Sequence, residues 1–411
     1  MTQYPHNALT LALLVTTLLL AHPTSASAQS SRLELGRRLQ RFEIAFEEAP
    51  SEQRAAALDP LKKAVNAFFS LRLAEAGKQL DDAWLAVRKP LTEPSTLEQA
   101  VRGLQLLPEP VCADTSHSGL KLKLTPFYDS PLQPPTDAKL VLKITDPAGN
   151  TLAETTLPLA DVSAGTLWDH PQLPPGDHRL HASIEYQSDA FNFPPSTLSR
   201  IPNLDQRIQQ LQSQATAKSS TTDAESSPDA LRKDLIIATL KSTSAVADAL
   251  RKNRLQETDY PVLERLTLCE QLAKSPAPPD TLLLQARKSD TWVSLARGNK
   301  SVPVRIRAPQ QIAPNNQLLP VLFLFHGAGG SENMFFETYG AGRAIREATN
   351  RGWLVVAPGQ GILGLALDVP DLLNALEPWF PIDRSKIMLL GHSMGAAQVI
   401  RQVQKYPKLP V

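Results

Sequence analysis

Leu35, Leu39, Phe42 and Phe46 recur at the spacing of one apolar helix face. Leu58, Leu61, Val65 and Phe68 continue the stripe after the Ala49-Pro50 break, with Ser51 to Arg54 as a helix start; Leu80 and Trp84 mark a third helix. Residues 31–89 therefore read as a helical hairpin or three-helix unit within a helical domain over 29–110, with the stripe as its core face.

Further on, the period changes to two. Leu120, Leu122 and Leu124 alternate with Lys121 and Lys123. Leu140, Leu142 and Ile144 alternate up to the turn Asp146-Pro147-Ala148-Gly149-Asn150, and Leu180, Ala182, Ile184 and Tyr186 alternate after Pro174-Pro175-Gly176-Asp177. Alternation with closely spaced turn signals predicts a small antiparallel β-sandwich over 111–200, immunoglobulin- or fibronectin-like in size. Such a module is a candidate contact surface for a glycan or a protein, although the fold alone does not say which. Residues 201–290 return to helix, marked by Leu231, Leu235, Val262, Leu266 and Cys269, with a flexible linker near 213–230 where Ser, Thr, Ala and Asp collect around Pro228.

From about Thr291 strands and helices alternate. Val302, Val304 and Ile306 alternate with Pro303, Arg305 and Arg307, as in a half-exposed strand. Pro320 to Phe325 is a continuous apolar run, the mark of a strand buried on both faces. A helix around Gly342–Thr349, a strand over Trp353–Ala357, a helix opened by Asp368 as N-cap with Pro370 in its first turn, and a strand over Lys386–Leu390 follow. The expected architecture is multidomain: helical segments and a small β-sandwich, then over 291–411 a partial α/β unit with a mostly parallel sheet and helices on both faces.

Two further features bear on where the chain works. Ala8 to Ala21 is an apolar stretch followed by the small-residue site Ala26-Ser27-Ala28, so residues 1–28 read as a signal peptide, although residues 2–7 lack Lys and Arg. An uncleaved anchor is the alternative. The first reading implies export to a periplasmic or extracellular setting, with no membrane association after cleavage. Net charge is +1, which removes any global electrostatic case for nucleic acid. Export would permit a disulfide between the only cysteines, Cys112 and Cys269; the alternative is two buried thiols.

The chemistry concentrates near the end. Gly391-His392-Ser393-Met394-Gly395 fits G-x-S-x-G, and it stands between the apolar Ile387–Leu390 and the helix-compatible Ala396–Ile400. A serine hydroxyl needs a base to take its proton and donors to hold the oxyanion. The Met394 amide, at the positive end of the following helix, is one candidate donor. The other candidates lie in His326-Gly327-Ala328-Gly329-Gly330, after the Pro320–Phe325 strand, with the Ala328 amide first and Gly329 second. Ser393 is thus the candidate nucleophile, and His326, Gly327, Gly330, Gly391, His392 and Gly395 support the loop and the elbow.

With these motifs in place, residues from about 300 to 411 resemble the N-terminal half of an α/β-hydrolase catalytic domain. The resemblance is to secreted esterases of the polyhydroxybutyrate-depolymerase and feruloyl-esterase type. It is carried by L-F-H-G-A-G-G-S-E-N-M-F, R-G-W-L-V-V-A-P and P-I-D-R-S-K-I-M-L-L-G-H-S-M-G, roughly a quarter of the chain. Members often continue the last motif with a further Gly, where Ala396 stands here. The family implies an eight-stranded sheet, an Asp after a later strand and a His near the C-terminus. Residues 394–411 contain no Asp, Glu or His, so the acid and base are absent from the chain. The expectation is a truncated domain whose reading frame continues past Val411, and a 411-residue chain that is weak or inactive by itself.

The implied function is carboxylic-ester hydrolysis through a Ser393 acyl-enzyme, on a small or polymeric ester, with no cofactor and no metal. The alternatives are a non-catalytic exported binding or envelope protein carrying a hydrolase remnant, and a prolyl-oligopeptidase-type peptidase. His326 reads as structural in this family, and His392 as pointing away from its neighbour. Asp383 reads as a turn or capping residue, and Asp368 and Asp371 as helix-start residues. His170, His178 and His181 fall in the β-module, where His178 and His181 lack a third metal ligand. Phe335, Phe336, Tyr339 and the run Gly361–Leu365 either line an acyl or aromatic pocket or simply pack.

Overall fold

The computed structural model describes residues 26–88, 94–162, 166–170, 172–219, 227–254, 258–274, 280–297, 300–310, 318–359 and 367–410. The apolar stretch Ala8–Ala21 and the run Gly361–Leu365 lie outside these; Ala26 to Ala28 open the first helix. Among the described residues no helix is long and apolar enough to cross a membrane.

The chain begins with α1 (Ala26–Glu48), α2 (Ser51–Phe69), α3 (Leu73–Arg88) and the short α4 (Thr96–Val101). Of its apolar stripe, helix α2 packs only Leu61 on the core. It buries Ala57, Ala64 and Ala67, while Leu58, Val65, Phe68 and Phe69 are exposed. Small side chains let α2 approach its neighbours closely and turn the large ones outward. Asp81 of α3 is fully buried, ion-paired to Arg38 and Arg41 of α1 and accepting a 2.6 Å hydrogen bond from the Tyr128 hydroxyl. Burial works against the Arg38 charge, but Asp81 and Glu34 more than offset it and hold the guanidinium above its ordinary value.

Strands follow from Leu104: β1 (Leu104–Glu109), β2 (Cys112–Asp114), β3 (Leu120–Pro126), β4 (Lys139–Thr145), β5 (Thr151–Pro158), β6 (Thr166–Trp168), β7 (Gly176–Tyr186) and β8 (Asp189–Ile201), with α5 (Leu159–Val162) before β6. They form a sheet ordered β1-β3-β6 and another ordered β2-β8-β7-β4-β5. The alternating residues Leu120, Leu122, Leu140, Leu142, Ile144, Leu180 and Ile184 share one core cluster. Pairing is not purely antiparallel as the sequence suggested: β2 runs parallel to β8, with Cys112 opposite Ser199.

Next come α6 (Leu204–Ser219), α7 (Pro228–Arg251), α8 (Val262–Ala273) and α9 (Thr281–Lys288). The linker expected near 213–230 is helical over 213–219 and again from Pro228. Ala215 is buried in the core with Leu211, and Ser227 caps α7 through a bond from Ala230 N at 3.2 Å. Residues 220–226 lie outside the described ones.

The last sheet takes β9 (Thr291–Arg297), β10 (Lys300–Arg307), β11 (Leu319–Phe325), β12 (Leu354–Pro358) and β13 (Ile382–Gly391) in the order β13-β11-β12-β10-β9. Helices α10 (Met334–Glu337), α11 (Arg343–Asn350), α12 (Val369–Leu376) and α13 (Met394–Lys405) connect and follow these strands. Val321, Phe323 and Phe325 join the core shared with α6–α9 and α12, while Leu322 and Leu324 join a separate cluster with Phe335 and Ile345. Helices therefore cover both faces, which is why β11 reads as an unbroken apolar run. Pairing is mixed rather than mostly parallel among the described strands: β11 is parallel to β12 and β13, but β10 is antiparallel to both β9 and β12. Strand β13 is the edge, and its Met388 and Leu390 are exposed. Cys112 and Cys269 are unpaired and buried; burial pushes their thiols up to about 12 and about 11.

Candidate active site

Parallel neighbours deliver their following loops to the same sheet edge. Strands β11 and β13 end in register, Phe325 opposite Gly391, and His392 N donates to Phe325 O at 3.0 Å. The turn after β11 and the turn after β13 are thereby held side by side.

Ser393 sits between β13 and α13 with φ 55° and ψ −116°, a backbone region that a side chain strongly disfavours. The surrounding sequence follows from contact distances. A Cβ on Gly391 would run into the Gly395 carbonyl, and one on Gly395 would run into the Phe325 carbonyl. Only glycine fits at either place, so the tight elbow requires both. Met394 opens α13, where the first amides of a helix have no partner within it. In the facing loop, Gly330 N donates to Gly327 O at 3.2 Å and Gly329 takes φ +73°. That chain reversal carries the Ala328 and Gly329 amides.

Ser393, His392 and Gly327 to Gly330 line one cavity of about 640 Å³. The structure thus brings together the candidate nucleophile and the loop expected to face it. His326 is buried behind the loop, its Nδ1 2.8 Å from Gly327 O. His392 is exposed, its ring centroid 4.5 Å from that of Tyr339. Of the other candidates, Tyr339 lines the cavity, and burial raises its phenol above the ordinary value. Phe335 packs in the core, and Phe336 lies under the Arg305 guanidinium at 4.3 Å.

Two polar residues, Arg305 and Asp368, have roles other than those expected. Arg305 is not half-exposed. It is buried, ion-paired to Asp290 and Glu337, stacked on Trp292 at 4.4 Å, and donates to Asn333 Oδ1 at 3.1 Å. Asn333 also accepts from Trp292 Nε1 at 2.9 Å, so this cluster anchors the segment that follows the Gly327–Gly330 loop. Asp368 stands at the N-cap of α12 without capping it through its side chain. Its carboxylate accepts from Gln402 at 2.8 Å and Tyr406 at 2.8 Å and pairs with Lys405, while Val369 N donates to Gln402 Oε1 at 2.9 Å. Asp383 accepts from Ser385 N at 2.9 Å in a local turn. In the β-module, a His178 ring nitrogen lies 2.8 Å from Pro174 O and a His181 ring nitrogen 3.3 Å from Thr145 Oγ1.

The opposite wall of the cavity comes from the N-terminal helices. Leu35, Leu39 and Glu43 of α1 and Leu61, Val65 and Phe68 of α2 line it. Helix α1 docks on the segment after the loop: Glu43 Oε2 accepts from Ala341 N at 2.8 Å, Glu47 pairs with Arg343, and a Cβ on Gly36 would meet Thr338 Cγ2 at 3.2 Å. Sequence reasoning missed this wall. The signal lay in α2, where Ala57, Ala64 and Ala67 supply a second, small-residue face to pack on.

No family model matches the chain. Its structural neighbours are esterases and hydrolases. A ferulic acid esterase is 18% identical over 29% of this chain and 56% of its own length, with a TM-score of 0.25. A thermostable esterase is 19% identical over 30% and 40%, with a TM-score of 0.26. An S-formylglutathione hydrolase from Agrobacterium tumefaciens is 16% identical over 29% and 57%, with a TM-score of 0.25. The chain therefore spans about half the length of these proteins or less.

Proposed function

We propose that the chain is a serine hydrolase of the α/β-hydrolase type, acting on carboxylic esters through an acyl-enzyme on Ser393. The observation that carries this reading is the Ser393 elbow, at φ 55° between β13 and α13, opening into the same cavity as the Gly327–Gly330 loop. In the reaction Ser393 Oγ attacks the ester carbonyl carbon, and its proton passes to a base. The C–O bond to the alcohol breaks as that proton reaches the leaving oxygen, and water then cleaves the acyl-serine by the same route. The amides of Met394 and of Ala328 or Gly329 hold the negative oxygen. Residues 394–411 contain no Asp, Glu or His, so the base and its orienting acid come from outside them. Export belongs to the same reading, on the strength of the apolar stretch Ala8–Ala21 and the site Ala26-Ser27-Ala28.

The test is labelling with a fluorophosphonate, together with turnover of short nitrophenyl esters. The expected result is one adduct on Ser393, lost in Ser393→Ala. Labelling of Ser393 overturns the non-catalytic reading, and a folded protein supplied with the base and acid that still takes no label and turns over no ester overturns the hydrolase reading.

A further inference from the structure

The cavity at Ser393 is built for more than an ester group. At about 640 Å³ it is within the size range of small-molecule sites, roughly 300–1,000 Å³. Its far wall is apolar: Leu35 and Leu39 from α1, Leu61, Val65, Phe68 and Phe69 from α2. Val65, Phe68 and Phe69 are 46%, 40% and 70% exposed, although α2 has alanines enough to pack by. Three large apolar side chains left in water on one helix end, facing a candidate nucleophile, mark a ligand surface. Its charged lining is balanced in sign: Arg37 and Arg179 share Asp259, and Arg32, Glu43 and Glu337 make three cations to three acids. That balance does not call for a charged ligand.

We propose that this cavity binds the apolar acyl chain of the substrate, with the ester carbonyl at Ser393 and the chain lying against α1 and α2. The substrate class is then an ester of a medium- or long-chain aliphatic acid, and the N-terminal helices determine specificity. This rests on the hydrolase reading for the carbonyl end, but the chain-binding wall is independent of it.

Straight-chain methyl ketones from 2-butanone to 2-decanone separate the two. They carry the carbonyl and the chain, have no scissile bond and no charge, and their binding to the full chain is read by calorimetry. Burial of each methylene is expected to tighten binding about fourfold. The same slope is expected in Ser393→Ala. In the Phe68→Ser/Phe69→Ser variant, which alters only half-exposed and exposed positions, the slope falls below twofold per methylene. Val65→Phe, which fills the cavity, ends the increase at a shorter chain. An affinity that is flat with chain length, or a slope unchanged in the double variant, overturns the proposal, whatever the fluorophosphonate result. A steep slope in a protein that never labels supports the chain site and removes the hydrolase reading alone.

Discussion

The Glu43 carboxylate accepts a 2.8 Å hydrogen bond from the amide of Ala341, a residue nearly 300 positions further along the chain. Gly340, Ala341 and Gly342 take φ of 60°, 47° and 75°, and the amides of Gly340 and Ala341 both reach the Glu43 carboxyl. The contact joins the N-terminal helices to the segment that follows the Gly327–Gly330 loop.

Burial raises the Glu43 carboxyl from 4.5 to about 7, against the lowering effect of the Ala341 and Gly340 amides. The folded value lies above the unfolded one, so the folded state holds the proton longer. Stability from this group is complete below about 4.5, declines as the unfolded chain ionises, and is gone above about 7. Glu43→Gln keeps an acceptor for Ala341 and removes the ionisation. The expected outcome is a gain of about 1–2 kcal/mol at pH 8, after allowance for partial exposure, and none at pH 4. Denaturant midpoints at the two pH values check it.

Ser393 is a side-chain residue in a backbone region suited to glycine. Ser393→Gly is expected to raise stability by about 1 kcal/mol while abolishing fluorophosphonate labelling. Gly395→Ala should do the reverse of stabilise, because its Cβ meets backbone at Phe325 and not a side chain that can swing away. A loss of about 3 kcal/mol or more is expected by chemical denaturation.

Much of this was legible in the sequence where the signal is local. Period-two alternation located β3, β4 and β7, and a five-residue motif located the elbow, because strand pleat and a tight turn depend on near neighbours. What could not be read depends on partners far away. Arg305 looked like a solvent-facing strand position until Asp290, Glu337 and Trp292 closed around it. Asp368 had the sequence context of a cap, but its carboxylate turned to Gln402 and Tyr406 at the far end of α13. The stripe Leu58, Leu61, Val65 and Phe68 has helical spacing whether the helix packs by it or by the alanines, and spacing alone cannot choose.

Arg305→Met tests the buried cluster. The substitution preserves bulk but leaves Glu337 without its cation and Asp290 with Arg307 alone, and removes the nearer of two guanidiniums over Trp292. A destabilisation of about 3 kcal/mol is expected from thermal or chemical unfolding.

The two thiols give a simple check on packing. Cys112 and Cys269 are 1% exposed and lie in the core shared with the last sheet. Neither is expected to react with an aromatic disulfide reagent in the native protein, and both should react at once in denaturant. Reaction of either in native buffer would show that this core opens.

Asp177 of β7 has a consequence for the chain as a whole. Helix α8 is preceded by Pro261, which offers no side-chain cap, and Asp177 accepts instead from Leu263 N at 3.0 Å and Glu264 N at 2.9 Å. The sandwich strands thus terminate a helix belonging to the core beneath the last sheet. A bead on a string could be excised and leave its neighbours intact; these strands cannot. Melting them uncaps α8, so heat and denaturant should meet a single cooperative block in which the β-module and the last sheet unfold together.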